Sequence, residues 1–65
     1  MIDKIDIRTA RASRRMSQTE LAEKVGVSKT TINKWETGKG VPSTTNFFAV
    51  CEVLGYEPND IFLRD

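Results

Sequence analysis

Between Lys29 and Thr37 the chain carries side chains that could hold an anion or read the edge of a base. Setting KTTINKWET on a helix at about 100° per residue gathers Lys29, Thr30, Asn33, Lys34 and Thr37 into one arc about 140° wide. Ile32 and Trp35 point the opposite way. The arc holds no acid. Each of its side chains donates hydrogen bonds, and all but the two lysines also accept them. At a helix N-terminus, where free N–H groups and the dipole favour anions, such a face suits phosphates and the base edges of a major groove.

The residues on either side must position that face. Ser17 followed by Glu20 forms a capping box that starts a helix, Leu21, Ala22 and Val25 give it an apolar stripe, and Gly26 can end it in a left-handed conformation. Val27 adds an apolar anchor. Ser28 then caps a second helix running from Lys29 to about Thr37 and stopping at Gly38. With so few residues between them, the two helices are expected to cross steeply around Ala22 and Gly26, whose small size permits close approach. The phase of Trp35 beside Ile32 makes it core rather than a stacking platform. Lys24, at the far end of its helix, reads as solvated.

Upstream, Asp3 or Asp6 caps a first helix that carries Ile7 and Ala10 inward, exposes Arg8, Arg14 and Arg15, and closes at Met16. Arg14 and Arg15 would then occupy a last turn, where cations suit the dipole without any further role. Downstream, Lys39-Gly40-Val41-Pro42 is a loop. Ser43 caps a fourth helix with the stripe Phe47, Val50, Cys51 and Leu54 and with Phe48 at its edge. Gly55 ends it, and Pro58 opens a short last segment carrying Ile61 and Phe62. No stretch reads as a strand. The expected fold is all-α, a bundle of four to five short helices.

Composition narrows the chemistry. Sixty-five residues make one small domain, and a single cysteine with no histidine removes disulfide frameworks and the usual zinc-ligand sets. No metal and no cofactor are expected. Without a histidine, a paired acid in a cleft or an activated nucleophile, the chain does not read as an enzyme. Cys51, in the apolar phase of its helix, reads as core rather than as a redox sensor. No apolar run approaches a membrane span and MIDKID lacks a signal peptide's pattern, so the expected setting is the cytoplasm.

The net charge of +1 conceals a division along the chain. From Arg8 to Lys39 eight basic residues face three acids, a net +5, while the remainder carries −4. A positive half steers toward a polyanion and a negative half faces away.

The ordered series SQTELA (17–22), GVS (26–28), Ile32, WETG (35–38), Pro42-Ser43 and Leu54-Gly55 resembles the phage-repressor type of helix-turn-helix domain, the lambda-repressor-like or Xre/Cro group. The resemblance covers about residues 5–62. It implies that residues 1–65 form a single DNA-binding domain of five helices, whose third enters the major groove, usually as a dimer on a twofold operator. Carried over by position, it implies base contacts from Lys29, Thr30, Asn33 and Lys34, and phosphate contacts from Gln18, Ser28, Thr31, Lys39 and the Gly40 backbone. It further implies that Gln18 braces the recognition helix and that Arg11 and Glu36 form an internal ion pair.

The chain departs from the family pattern at three places. Ala10 stands where a larger aliphatic is usual, with Phe47 and Phe48 expected to fill the space. Arg15 replaces a frequent glycine. The recognition positions are rich in lysine, which reads guanine O6 and N7 or rests on a phosphate.

The expected function is a DNA-binding transcriptional regulator, a repressor acting as a homodimer on an operator at the nucleoid. Its dimer interface is expected in Tyr56 to Asp65 and the end of helix four, because Phe48, Ile61, Phe62 and Leu63 cannot all fit one small core. The alternatives are a protein-interaction module of the antitoxin type, or the DNA-binding fragment of a longer protein.

Overall fold

Local capping chemistry sets each helix start. Asp6 Oδ1 accepts from the N–H of Thr9 at 2.9 Å, Ser17 Oγ from Glu20 at 3.0 Å, Ser28 Oγ from Thr31 at 3.1 Å and Ser43 Oγ from Asn46 at 3.2 Å. Each bond satisfies one of the first-turn donors that a helix cannot satisfy itself. In the computed structural model, which describes residues 4–63, the helices that follow are α1 (Ile7–Ser13), α2 (Gln18–Val25), α3 (Lys29–Thr37) and α4 (Thr44–Leu54). A 3₁₀ turn, Pro58–Asp60, comes last. Asp3, the other candidate cap for α1, lies outside the described residues.

The helices α2, α3 and α4 end on left-handed glycines, but α1 does not. Gly26 adopts φ +90°, and a Cβ built there would meet nothing within 4 Å. The position requires glycine for its backbone angle, not for close helix approach as its small size suggested. Helix α1 stops at Ser13, three residues before Met16, and Arg15 turns the chain with φ +55° despite its Cβ.

Arg14 therefore does not lie in a last helical turn. Its side chain crosses to the end of α4, where Nε donates to the Leu54 carbonyl at 2.7 Å and Nη2 to Gly55 at 3.4 Å. Its guanidinium lies 4.5 Å from the centroid of the Tyr56 ring. Ser13 Oγ completes the latch, donating to the Ala10 carbonyl and meeting the Tyr56 hydroxyl at 2.9 Å. The dipole being served is that of α4, through carbonyls it cannot satisfy alone.

One core joins these elements: Ile7 and Ala10 of α1, Leu21 and Ala22 of α2, Ile32 and Trp35 of α3, and Val50, Cys51 and Leu54 of α4, with Ile61 beyond them. Helix α2 packs against both α3 and α4. Burial pushes the Cys51 thiol up, further raised by Asp60 and opposed by a backbone hydrogen bond, which leaves it a small core hydrophobe.

Two apolar assignments change. Phe48 is 52% exposed, so it does not fill the space beside Ala10, whereas Phe47 packs half-buried against the core. Ile61 is buried and forms a single parallel bridge with Ile5, held by Ile5 N–H to Asp60 O and Phe62 N–H to Ile5 O, both 3.0 Å. It is core, not free surface. Leu63 also packs against the core, leaving Phe62 as the exposed apolar side chain of that segment.

Candidate nucleic-acid interface

The turn between α2 and α3 is closed by two donors on one acceptor. The N–H groups of Gly26 and Val27 both reach the Ala22 carbonyl, at 2.8 and 3.0 Å, and Ser28 follows in an extended conformation. Val27 packs half-buried on the core, so the start of α3 is anchored by an apolar side chain as well as a cap. From there Ile32, Trp35 and Glu36 turn inward, and Lys29, Thr30, Asn33 and Lys34 are exposed. The division follows from helical phase.

Glu36 is the unusual member of the inner face. Its side chain is 1% exposed, and a buried carboxylate is tolerable only when paired and hydrogen-bonded. Arg11 of α1 supplies both, with Nε 2.7 Å from Oε2 and Nη2 3.1 Å from Oε1. The third arm of the same guanidinium, Nη1, donates to the Met16 carbonyl at 2.8 Å. Gln18 Nε2 then donates to Glu36 Oε1 at 3.1 Å and, over a longer 3.4 Å, to Asn33 Oδ1. Side chains from α1, α2 and α3 thus meet at one buried carboxylate. A rigid junction of this kind holds the exposed face of α3 at a fixed angle to the rest of the molecule.

Around that junction Gln18, Lys29, Thr30 and Asn33 line an open groove of about 430 Å³ between the start of α2 and the first turns of α3. Ser28 Oγ and Thr31 Oγ1 lie 2.9 Å apart, and Ser28 Oγ is already the acceptor for the Thr31 N–H. Whichever hydroxyl donates to the other, one O–H remains to donate elsewhere. Thr37 turns its hydroxyl back onto the Asn33 carbonyl at 2.8 Å, which narrows the outward-facing arc to the earlier residues. Lys39 is exposed in the following loop. The N–H of Gly40 is directed inward, sharing the Lys34 carbonyl with Lys39 at 3.2 and 2.9 Å, so its role in the free protein is to fold the loop onto α3.

A family model described as helix-turn-helix matches residues 7–61. The chain belongs to the helix-turn-helix family. Two relatives are each described as an uncharacterized HTH-type transcriptional regulator. One, from Methanocaldococcus jannaschii, is 38% identical over 55 residues, covering 85% of this chain and 83% of the relative. The other, from Archaeoglobus fulgidus, is 41% identical over 59 residues, covering 91% and 84%. Among solved structures, the P22 c2 repressor protein in complex with a synthetic operator superposes with a TM-score of 0.78 at 32% identity, covering 82% of this chain and 80% of that one. In this helix-turn-helix chain, α2 and α3 are the paired helices and α3 is the second of them.

Three features of the site lay beyond the motif: the Arg11 bond to Met16, the Gln18 bond to Asn33, and the Arg14 latch that secures α1 to α4. The glutamine and asparagine stand 15 residues apart and the latch spans 40, so no local periodicity signals either.

Proposed function

We propose that this chain is a sequence-specific transcriptional regulator, without enzymatic activity, that places α3 in the major groove of a twofold operator as a homodimer and represses by occupying it. The observation carrying this reading is the acid-free exposed face of Lys29, Thr30, Asn33 and Lys34, held from behind by the buried Arg11–Glu36 pair. Lys29, Thr30, Asn33 and Lys34 read base edges. The Ser28–Thr31 hydroxyl pair and the Lys39 ammonium contact phosphates on either side. At the start of α2, where the Gln18 side-chain N–H groups are engaged within the protein, the first-turn backbone N–H groups of Gln18 and Thr19 take the phosphate. Gly40 keeps the loop close enough for Lys39 to reach.

One module makes few base contacts, and about 1–3 kcal/mol for each good pair does not reach operator-level selectivity. A second copy doubles the site. The exposed Phe48 and Phe62, at 52% and 43%, support a dimer built on the C-terminal side. Tyr56 to Leu63 would contribute to it, and Arg64 and Asp65 lie outside the described residues. Such a protein works at the nucleoid, in the cytoplasm, and no helix of the described residues is long and apolar enough to cross a membrane.

The deciding experiment is a titration of the protein with duplexes selected from a random pool and with scrambled controls, at several salt concentrations. The expected result is a steep fall of affinity with salt together with preference for the selected sequence. Weak binding to every duplex with little salt dependence would refute the reading and favour a protein-interaction module.

A further inference from the structure

We infer that the buried Glu36 carboxylate, acting through Gln18, fixes which end of the Asn33 amide faces DNA, so that Asn33 reads base edges as a hydrogen-bond donor and not as an adenine-type donor–acceptor pair. The inference rests on the proposed groove-reading role of α3 and specifies its chemistry.

The two ends of an amide have the same shape, so hydrogen bonding alone chooses between them. Glu36 begins the choice. Both of its oxygens accept from the Arg11 guanidinium, and Oε1 also lies 3.1 Å from the Gln18 amide nitrogen. The nitrogen of Gln18 must face it, because the reversed amide would set oxygen against oxygen at a site sheltered from water. That nitrogen carries a second N–H, which reaches Asn33 at 3.4 Å. It requires an acceptor there, so the Asn33 oxygen turns toward α2 and the NH2 is the end left facing away from Gln18 on the exposed side of α3.

The consequence is a change of alphabet. An asparagine with both ends free matches adenine, which offers N7 as acceptor beside N6 as donor. With its oxygen turned toward Gln18, the same side chain presents its N–H donors to DNA, and these match guanine, whose O6 and N7 are both acceptors. Lys29 and Lys34 on either side are likewise donors only. The reading face therefore selects guanine-rich edges, and Gln18 is a specificity-determining positioning residue although it touches no base.

Selection from a random duplex pool should be run in parallel with the wild type, Gln18→Met and Asn33→Asp. Gln18→Met keeps side-chain length and removes the donor. The wild type is expected to select guanine at the position read by Asn33. Gln18→Met should let adenine compete there, reducing discrimination about tenfold while other positions keep their preference. Asn33→Asp, which cannot donate, should lose guanine and turn toward cytosine, whose N4 donates.

An adenine at that position in the wild-type profile, or identical profiles for wild type and Gln18→Met, would overturn the inference while leaving DNA binding intact. Failure of the wild type to enrich any duplex would instead remove the function on which it rests. A measurement on the unaltered free protein guards against a variant that misfolds. By nuclear magnetic resonance the Gln18 side-chain NH2 protons should exchange slowly with water and those of Asn33 rapidly, and the reverse order would overturn the assignment.

Discussion

At the scale of residues, Glu36 is the most consequential side chain behind the reading face. It accepts from Arg11 twice and from Gln18 once while nearly excluded from water. Replacing Glu36 with alanine strands the Arg11 guanidinium and frees Gln18, and should cost about 3–5 kcal/mol in a urea or thermal unfolding curve. Removing both charges together, with Arg11→Met and Glu36→Leu, should restore most of that stability, since apolar replacement of a whole buried pair is often neutral or favourable. The preference for guanine at the position read by Asn33 should not recover with it, because Gln18 would still lack its acceptor. Lys34 behaves differently. Lying exposed on α3, it contributes little to folding, so Lys34→Ala should leave the melting temperature nearly unchanged. It should weaken the selected duplex more than a scrambled one, as base contacts do, whereas equal loss on both would reassign it to a phosphate.

At the scale of elements, the end of α1 is the irregular feature. Three helices stop on glycine and α1 stops on Arg14-Arg15, with Arg15 at φ +55°. A side chain in that region costs roughly 1–2 kcal/mol, and glycine does not bear that cost. Arg15→Gly should therefore raise stability by about 1 kcal/mol, which for a domain this small is a rise of about 4–8 °C in melting temperature. An unchanged or lower value would mean that the exposed Arg15 side chain makes a compensating contact. The starts of α2, α3 and α4 and all three glycine stops were legible in the sequence, because capping and left-handed glycines act within three or four residues. The stop of α1 was not, since it depends on Arg14 being drawn to α4 and away from its own helix.

At the scale of the whole molecule, the exposed aromatics bear on assembly. The sequence could say that Phe48, Ile61, Phe62 and Leu63 exceed what one small core can hold, but not which would be excluded. Folding resolves it: Ile61 and Leu63 pack inward, and Phe48 and Phe62 stay out. Phe48→Ser and Phe62→Ser should each leave the unfolding curve of the dilute protein nearly unchanged and shift sedimentation from dimer toward monomer. The same variants should weaken binding to a twofold site more than to a half-site. Dimers of undiminished affinity would move the interface elsewhere.

The sequence by itself determined the all-α fold, the position of α3 and the polarity of its two faces. Those properties are local: caps, stops and helical phase are fixed by residues a turn or two apart. Only the tertiary structure decided how that face is held and presented. The Gln18–Asn33 contact spans 15 positions, Arg14–Leu54 40 and Ser13–Tyr56 43, while the Arg11–Glu36 pair, across 25, was implied by the family resemblance and is formed. Which donor meets which acceptor over such distances depends on how the helices pack, and the inferred orientation of the Asn33 amide rests on a buried carboxylate three residues further along its own helix, bridged to it by Gln18.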